Sequence, residues 1–137
     1  MDIPQGVNFL QYTWDDFGED RSKMARLIKG HEVETGIKFS RVYGVPRGGL
    51  VLAVCLSHDL DLEFLASPPR VYDPHTIIVD EVAEKGTTLK PFVKMGFITA
   101  TIHYLPESMV IPNLWIREKE PKTWIVYCWE KQEGSGS

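Results

Sequence analysis

The stretch TIIVDEVAEKGTT, residues 76–88, ends an apolar run in two adjacent carboxylates, Asp80 and Glu81. Glu84 follows, then Lys85, Gly86, Thr87 and Thr88. Carboxylates accept hydrogen bonds from a sugar diol and can hold Mg²⁺. A glycine leading into a helix lets backbone N–H groups face a phosphate, and two hydroxyls add donors. A ligand matching both halves carries free sugar hydroxyls a short way from a phosphate, as a 5-phosphoribosyl group does. The same residues would also suit a plain polar strand-to-helix loop with a cap.

A second stretch, GVPRGGL at residues 44–50, has the same strand-to-helix character. Gly48 and Gly49 permit close backbone approach, and Arg47 adds a fixed charge with a planar fork of donors. That chemistry suits a second phosphate group such as pyrophosphate. The alternative is a Pro-Gly turn beside a solvated arginine.

Elements of regular structure must hold these loops in place. Apolar-rich runs at residues 38–45, 62–65, 76–82 and 123–129, and polar-apolar alternation at 97–105, predict strands. Helices are expected at residues 14–29, where Thr13 and Asp16 have the form of a capping box, at 48–60 and at 87–95. Pro91 is tolerated only in a first helical turn, which moves the last start a residue or two beyond Thr87. Buried strands alternating with helices indicate an α/β domain with a mostly parallel sheet. Ligands of such sheets bind at the carboxyl ends of the strands, where Asp80 and Glu81 fall.

In carrying both loops, the chain resembles the type I phosphoribosyltransferases. VDEVAEKGTT resembles their phosphoribosyl-pyrophosphate (PRPP) motif, and GVPRGGLVLAV their pyrophosphate loop. The likeness runs from TWDD to TWIVYCWE and is strongest to the small bacterial xanthine-guanine enzymes and related archaeal purine enzymes. It implies a phosphoribosyltransferase-like parallel sheet flanked by helices, with a small hood formed by the N-terminal segment and the region after Tyr104. The implied reaction displaces pyrophosphate from PRPP by a purine nitrogen, with Mg²⁺ as cofactor, and gives a 5′-mononucleotide. A non-catalytic or regulatory nucleotide-binding protein and a nucleoside-phosphate hydrolase are the alternatives.

Residue by residue, the resemblance gives Asp80 and Glu81 the ribose hydroxyls, directly or through Mg²⁺. Lys85, Gly86, Thr87 and Thr88 take the 5′-phosphate. Arg47, Gly48 and Gly49 take pyrophosphate, with a strained peptide between Arg47 and Gly48. Glu84 stands near N7 of the base as general acid or base, Trp124 and Ile125 form the base-packing segment, and Glu130 lies near the base and a second metal. Homo-oligomers, dimers or tetramers, are implied as well.

The chain departs from the family pattern at four places. Lys85 replaces a threonine, and Glu84 replaces an aspartate. Leu105 stands where relatives carry a lysine that reads the 6-oxo group, and a hydrophobic side chain donates nothing to that oxygen. The connection at residues 66–75, stiffened by Pro68, Pro69 and Pro74, is far shorter than the lid that relatives close over PRPP.

Composition narrows the function class. The chain has 137 residues, enough for one domain with a real core. Its net charge of −4 gives no broad basic face for nucleic acid. No apolar run spans a membrane, no signal peptide is evident, and Cys55 and Cys128 match no metal spacing, so a cytoplasmic protein with reduced thiols is expected. His31, His58, His75 and His103 show no metal-ligand spacing either, and His103 is a candidate donor near the base. The single domain is expected over residues 1–133; residues 134–137, Gly-Ser-Gly-Ser, have the composition of a linker.

Overall fold

The computed structural model describes residue 6 and residues 8–131. The linker-like residues 134–137 lie outside the described residues. Five parallel strands form the main sheet in the order β3-β2-β4-β5-β6. They are β2 (Arg41–Gly44), β3 (Glu63–Leu65), β4 (Thr76–Ala83), β5 (Ile98–Tyr104) and β6 (Leu114–Glu118). A separate pair, β1 (Asn8–Tyr12) and β7 (Thr123–Tyr127), is also parallel and forms the hood. The helices are α1 (Trp14–Thr35), α2 (Gly48–Asp59) and α3 (Lys90–Met95).

The central strand shows why this sheet is buried. Thr76, Ile77, Ile78, Val79 and Asp80 of β4 are all buried, on both faces of the sheet. Such strands need cover on each side, which crossover helices supply. The larger core joins Met24 and Ile28 of α1, Leu52 and Leu56 of α2, and Ile77, Val79 and Ile102 of the sheet. A smaller one packs Ile78, Leu89 and Phe97. No helix among the described residues is long and apolar enough to cross a membrane.

Several expected boundaries move for physical reasons. The capping box forms as expected, with Thr13 Oγ1 accepting from Asp16 N–H and Asp16 accepting from Thr13 N–H. Helix α1 then runs six residues past the expected end, to a left-handed Gly36 that closes it. Its later turns are polar and exposed, which weakens the apolar spacing by which a helix is read. Within the expected helix, Met24 and Ile28 are buried whereas Leu27 is exposed. Helix α3 starts at Lys90 with Pro91 in its first turn, so residues 84–89 form a loop and not a helix start. Strands β1 and β6 were not expected. β6 joins the edge of the main sheet, so part of the region after Tyr104 belongs to the sheet and not to the hood.

The connection at residues 66–75 must return from the carboxyl end of β3 to the amino end of β4, because both strands run parallel to β2. Its far end is pinned there. Asp73 accepts from Arg41 Nη1 at 2.7 Å and from Thr76 Oγ1 at 2.9 Å. Its ten residues are used in crossing the sheet, and none remain to build a lid over the carboxyl ends.

Candidate active site

The loops after β2 and β4 meet at the carboxyl edge of the sheet. Gly49 opens α2 against the end of β4. A Cβ there would lie 2.7 Å from the Val79 carbonyl oxygen and 3.0 Å from Asp80 Cα, both backbone atoms that cannot swing aside. Gly48 leaves room for the Glu81 carboxylate, which occupies the space where a Cβ would stand. The loop expected to take pyrophosphate and the acid pair expected to hold a ribose are therefore in direct contact. Arg47 is exposed at the start of α2 and makes no ion pair among the described residues. The cis peptide in this loop is Pro46–Arg47.

Asp80 is buried, and its two oxygens accept from Glu81 N–H at 2.8 Å and from Thr88 Oγ1 at 3.4 Å. Burial, then the neighbouring Glu81, pushes the Asp80 carboxyl up. Burial also pushes Glu81 up, reinforced by the nearby charge of Glu130. Two crowded acids of this kind gain from a cation or from sugar hydroxyls that donate to them.

The loop at residues 84–89 curls around Gly86, which has φ +85°, a left-handed conformation that favours glycine. A Cβ on Gly86 would lie 2.7 Å from Val110 N and 2.8 Å from Ser108 Oγ. Met109 N–H donates to the Lys85 carbonyl at 3.1 Å. The segment after β5 thus braces this loop. Lys85, Thr87 and Thr88 are exposed around it.

The other half of the site gathers residues from distant strands. Leu105 is half-buried, and its N–H donates to the Ala83 carbonyl at 2.9 Å. Trp124 and Ile125 are successive residues of β7, so their side chains face opposite ways. Ile125 lines a cavity of about 420 Å³ with Phe9, His103, Arg117 and Lys119, whereas Trp124 is half-buried outside it. Glu84 is exposed and lies 3.6 Å from Lys119 Nζ. Glu130 Oε1 accepts from Tyr127 N–H at 2.9 Å. Among the described residues no three His, Cys, Asp or Glu side chains form a metal cluster, so Asp80, Glu81 and Glu130 would need ligand oxygens to complete one.

His103 is fully buried. Its Nδ1 lies 2.9 Å from Tyr127 Oη, which donates to the Glu81 carbonyl at 3.3 Å. Burial pushes the imidazole down to about 4, so the ring is neutral at physiological pH. Below it, Asp20 is fully buried and accepts from Tyr12 Oη at 2.7 Å and from Arg117 Nε at 2.7 Å. Asp20 therefore ties β1, α1 and β6 together. Asp20, Arg117, Lys119 and Tyr127 were not expected at the site. The available signal was the two-residue spacing of Arg117 and Lys119, which puts both on one face of an extended segment.

No family model matches the chain. The xanthine-guanine phosphoribosyltransferase of Cereibacter sphaeroides is 27% identical over a 144-residue alignment that covers 86% of this chain and 84% of that protein. The purine phosphoribosyltransferase of Pyrococcus horikoshii superposes with a TM-score of 0.74 at 24% identity, covering 92% of this chain and 96% of that one. The Helicobacter pylori xanthine-guanine-hypoxanthine phosphoribosyltransferase superposes at 0.72 and 21% identity, covering 90% and 94%. The fold expected from the sequence, a parallel sheet flanked by helices, is thus the fold of the type I phosphoribosyltransferases.

Proposed function

We infer that this chain is a purine phosphoribosyltransferase, which joins a base to the 5-phosphoribosyl group of PRPP and releases pyrophosphate. One observation carries the reading: Gly48 of the second loop packs against the Glu81 carboxylate of the first. A ligand with a diol between a phosphate and a pyrophosphate needs those two loops side by side. The 27% identity to a xanthine-guanine enzyme over most of both chains supports the same reading.

In this account Asp80 and Glu81 accept from the ribose hydroxyls. Gly86 and its neighbours Lys85, Thr87 and Thr88 bind the 5′-phosphate, with Thr88 turning its hydroxyl from Asp80. Arg47, with the backbone of Gly48 and Gly49, binds the leaving pyrophosphate. Glu84 accepts the proton of the attacking base nitrogen as the bond to the ribose C1 forms and the bond to pyrophosphate breaks. Asp80 and Glu81 favour the positive charge that develops at that carbon. Ile125 lines the base cavity with its side chain, Leu105 flanks it, and Trp124, facing the other way on β7, presents backbone groups to the base edge. The crowded hard-oxygen donors fit Mg²⁺, which with Asp80, Glu81 or Glu130 and phosphate oxygens would offset the charge of the leaving group. Assembly as a homo-oligomer is supported by the exposed apolar side chains of Phe9 and Leu10 on β1 and of Trp14 at the start of α1.

A second reading, a nucleotide-binding protein without transfer chemistry, is favoured by the short connection at residues 66–75. A site with no lid there excludes water less well. Incubation with PRPP, Mg²⁺ and a mixture of bases separates the two. The enzyme yields a 5′-mononucleotide visible by mass spectrometry; a ligand that stabilises the protein with no product identifies the binding protein.

A further inference from the structure

Lys119 is a buried lysine with an unfinished environment. The residue is 6% exposed, and among the described residues its one ion pair is with Glu84 Oε1 at 3.6 Å, longer than a hydrogen bond. An ammonium offers three donors and no acceptor. Holding one out of water with so little compensation is unfavourable unless a further partner arrives.

Its position follows from strand register. The last pair of the β5–β6 ladder is Tyr104 opposite Glu118. Lys119 N–H donates to the Tyr104 carbonyl at 2.7 Å and continues the ladder one step. Lys119 therefore stands beside Leu105, one strand further out. In a parallel pair, neighbours in register share a face, so Lys119, Leu105 and His103 lie on the same side. Lys119 and His103 also line one cavity, and His103 Nε2 is buried without a partner. Two polar groups left unfinished in one cavity mark a place completed by a ligand.

Resting on the transferase reading, we propose that Lys119 is the residue that selects the base, donating from its ammonium to an exocyclic oxygen. Glu84 anchors the ammonium at the reacting edge. An amino group in the same place would set donor against donor. The site thus takes an oxo-bearing purine and rejects an amino-bearing one, and the donor absent at Leu105 is supplied from the adjacent strand.

The test compares hypoxanthine with adenine in the parent protein, Lys119→Met and Lys119→Arg. Removing a charged donor lowers kcat/KM for hypoxanthine roughly 10- to 100-fold, mainly through the base KM. The KM for PRPP stays constant, the preference over adenine collapses, and Lys119→Arg restores part of it. An unchanged hypoxanthine-to-adenine ratio in Lys119→Met overturns the assignment. Calorimetric binding of IMP against AMP to the same three proteins reads the discrimination without turnover. If no base is transferred at all, the transferase reading fails, and this second measurement still decides Lys119: lost preference for IMP upholds it, and kept preference refutes it. Should Lys119→Met not fold, Lys119→Gln carries the same comparison.

Discussion

The phosphate side and the base side of the proposed site are built in different ways. The phosphate side is local. Two short loops, each contiguous in sequence, bring Gly48, Gly49, Asp80, Glu81 and Gly86 together by the meeting of β2 and β4. Its work falls to glycines, backbone groups and side chains that stand next to one another in sequence, so its chemistry is written in adjacent letters. The base side draws on Glu84, His103, Leu105, Lys119 and Ile125, each on a different element or loop. Strand register in the main sheet and the packing of the β1–β7 pair beside it bring them together. Such a site can exchange a residue on one strand for a residue on the next, as Leu105 and Lys119 do in our proposal, while the phosphate loops admit little change.

Substitutions on the two sides should therefore fail differently. The largest effect belongs to Gly49→Val. The new side chain meets the backbone of Val79 and Asp80, costs about 3 kcal/mol of stability and removes PRPP binding, both readable by thermal shift with and without PRPP. Asp20→Ala strikes the base side. It leaves the buried Tyr12 hydroxyl and the Arg117 guanidinium without their acceptor and costs about 2 to 3 kcal/mol, since Arg117 is partly exposed. Steady-state kinetics should show a raised KM for the base with PRPP affinity kept; the reverse pattern would break the division drawn above.

Acid reaches the base side next. The folded pKa of His103 is lowered to about 4 by burial, so its contribution is present above its ordinary range near 6.5 and is lost as pH falls from there toward 4. Stability should drop by about 2 kcal/mol between pH 7 and pH 5. Denaturant melts of His103→Gln should show a flatter acid limb. The smallest effect sets sign against sign at Asp80. Its raised pKa means that its charge weakens the unliganded protein as pH rises above the ordinary carboxylate range. At pH 8, Asp80→Asn should stabilise that form by about 1 kcal/mol while weakening PRPP binding. A loss on both counts would show that the buried charge is compensated within the protein.

What could be read in the sequence follows the same division. The strands β2, β4, β5 and β7 appeared as apolar runs, and the Thr13 cap appeared as spacing. The phosphate loops were legible because glycine and acid spacing is local chemistry. β1 escaped because its first four residues are exposed and it gains its place only by pairing with β7. β6 is a short edge strand of mixed polarity. Lys119 was hidden because a lone lysine in a charged segment reads as solvated, and only the ladder to Tyr104 buries it. Asp20 was hidden because its partner Arg117 is distant in sequence, and only the fold brings the two together.

The central claim is transfer to a base, and pyrophosphate release tests it most directly. Pyrophosphate would be measured from PRPP and Mg²⁺ with the protein alone, then after adding hypoxanthine or guanine. The account predicts release that depends on the base and matches nucleotide formation mole for mole. Release at the same rate without base, with ribose 5-phosphate as the product, would contradict it by making water the acceptor.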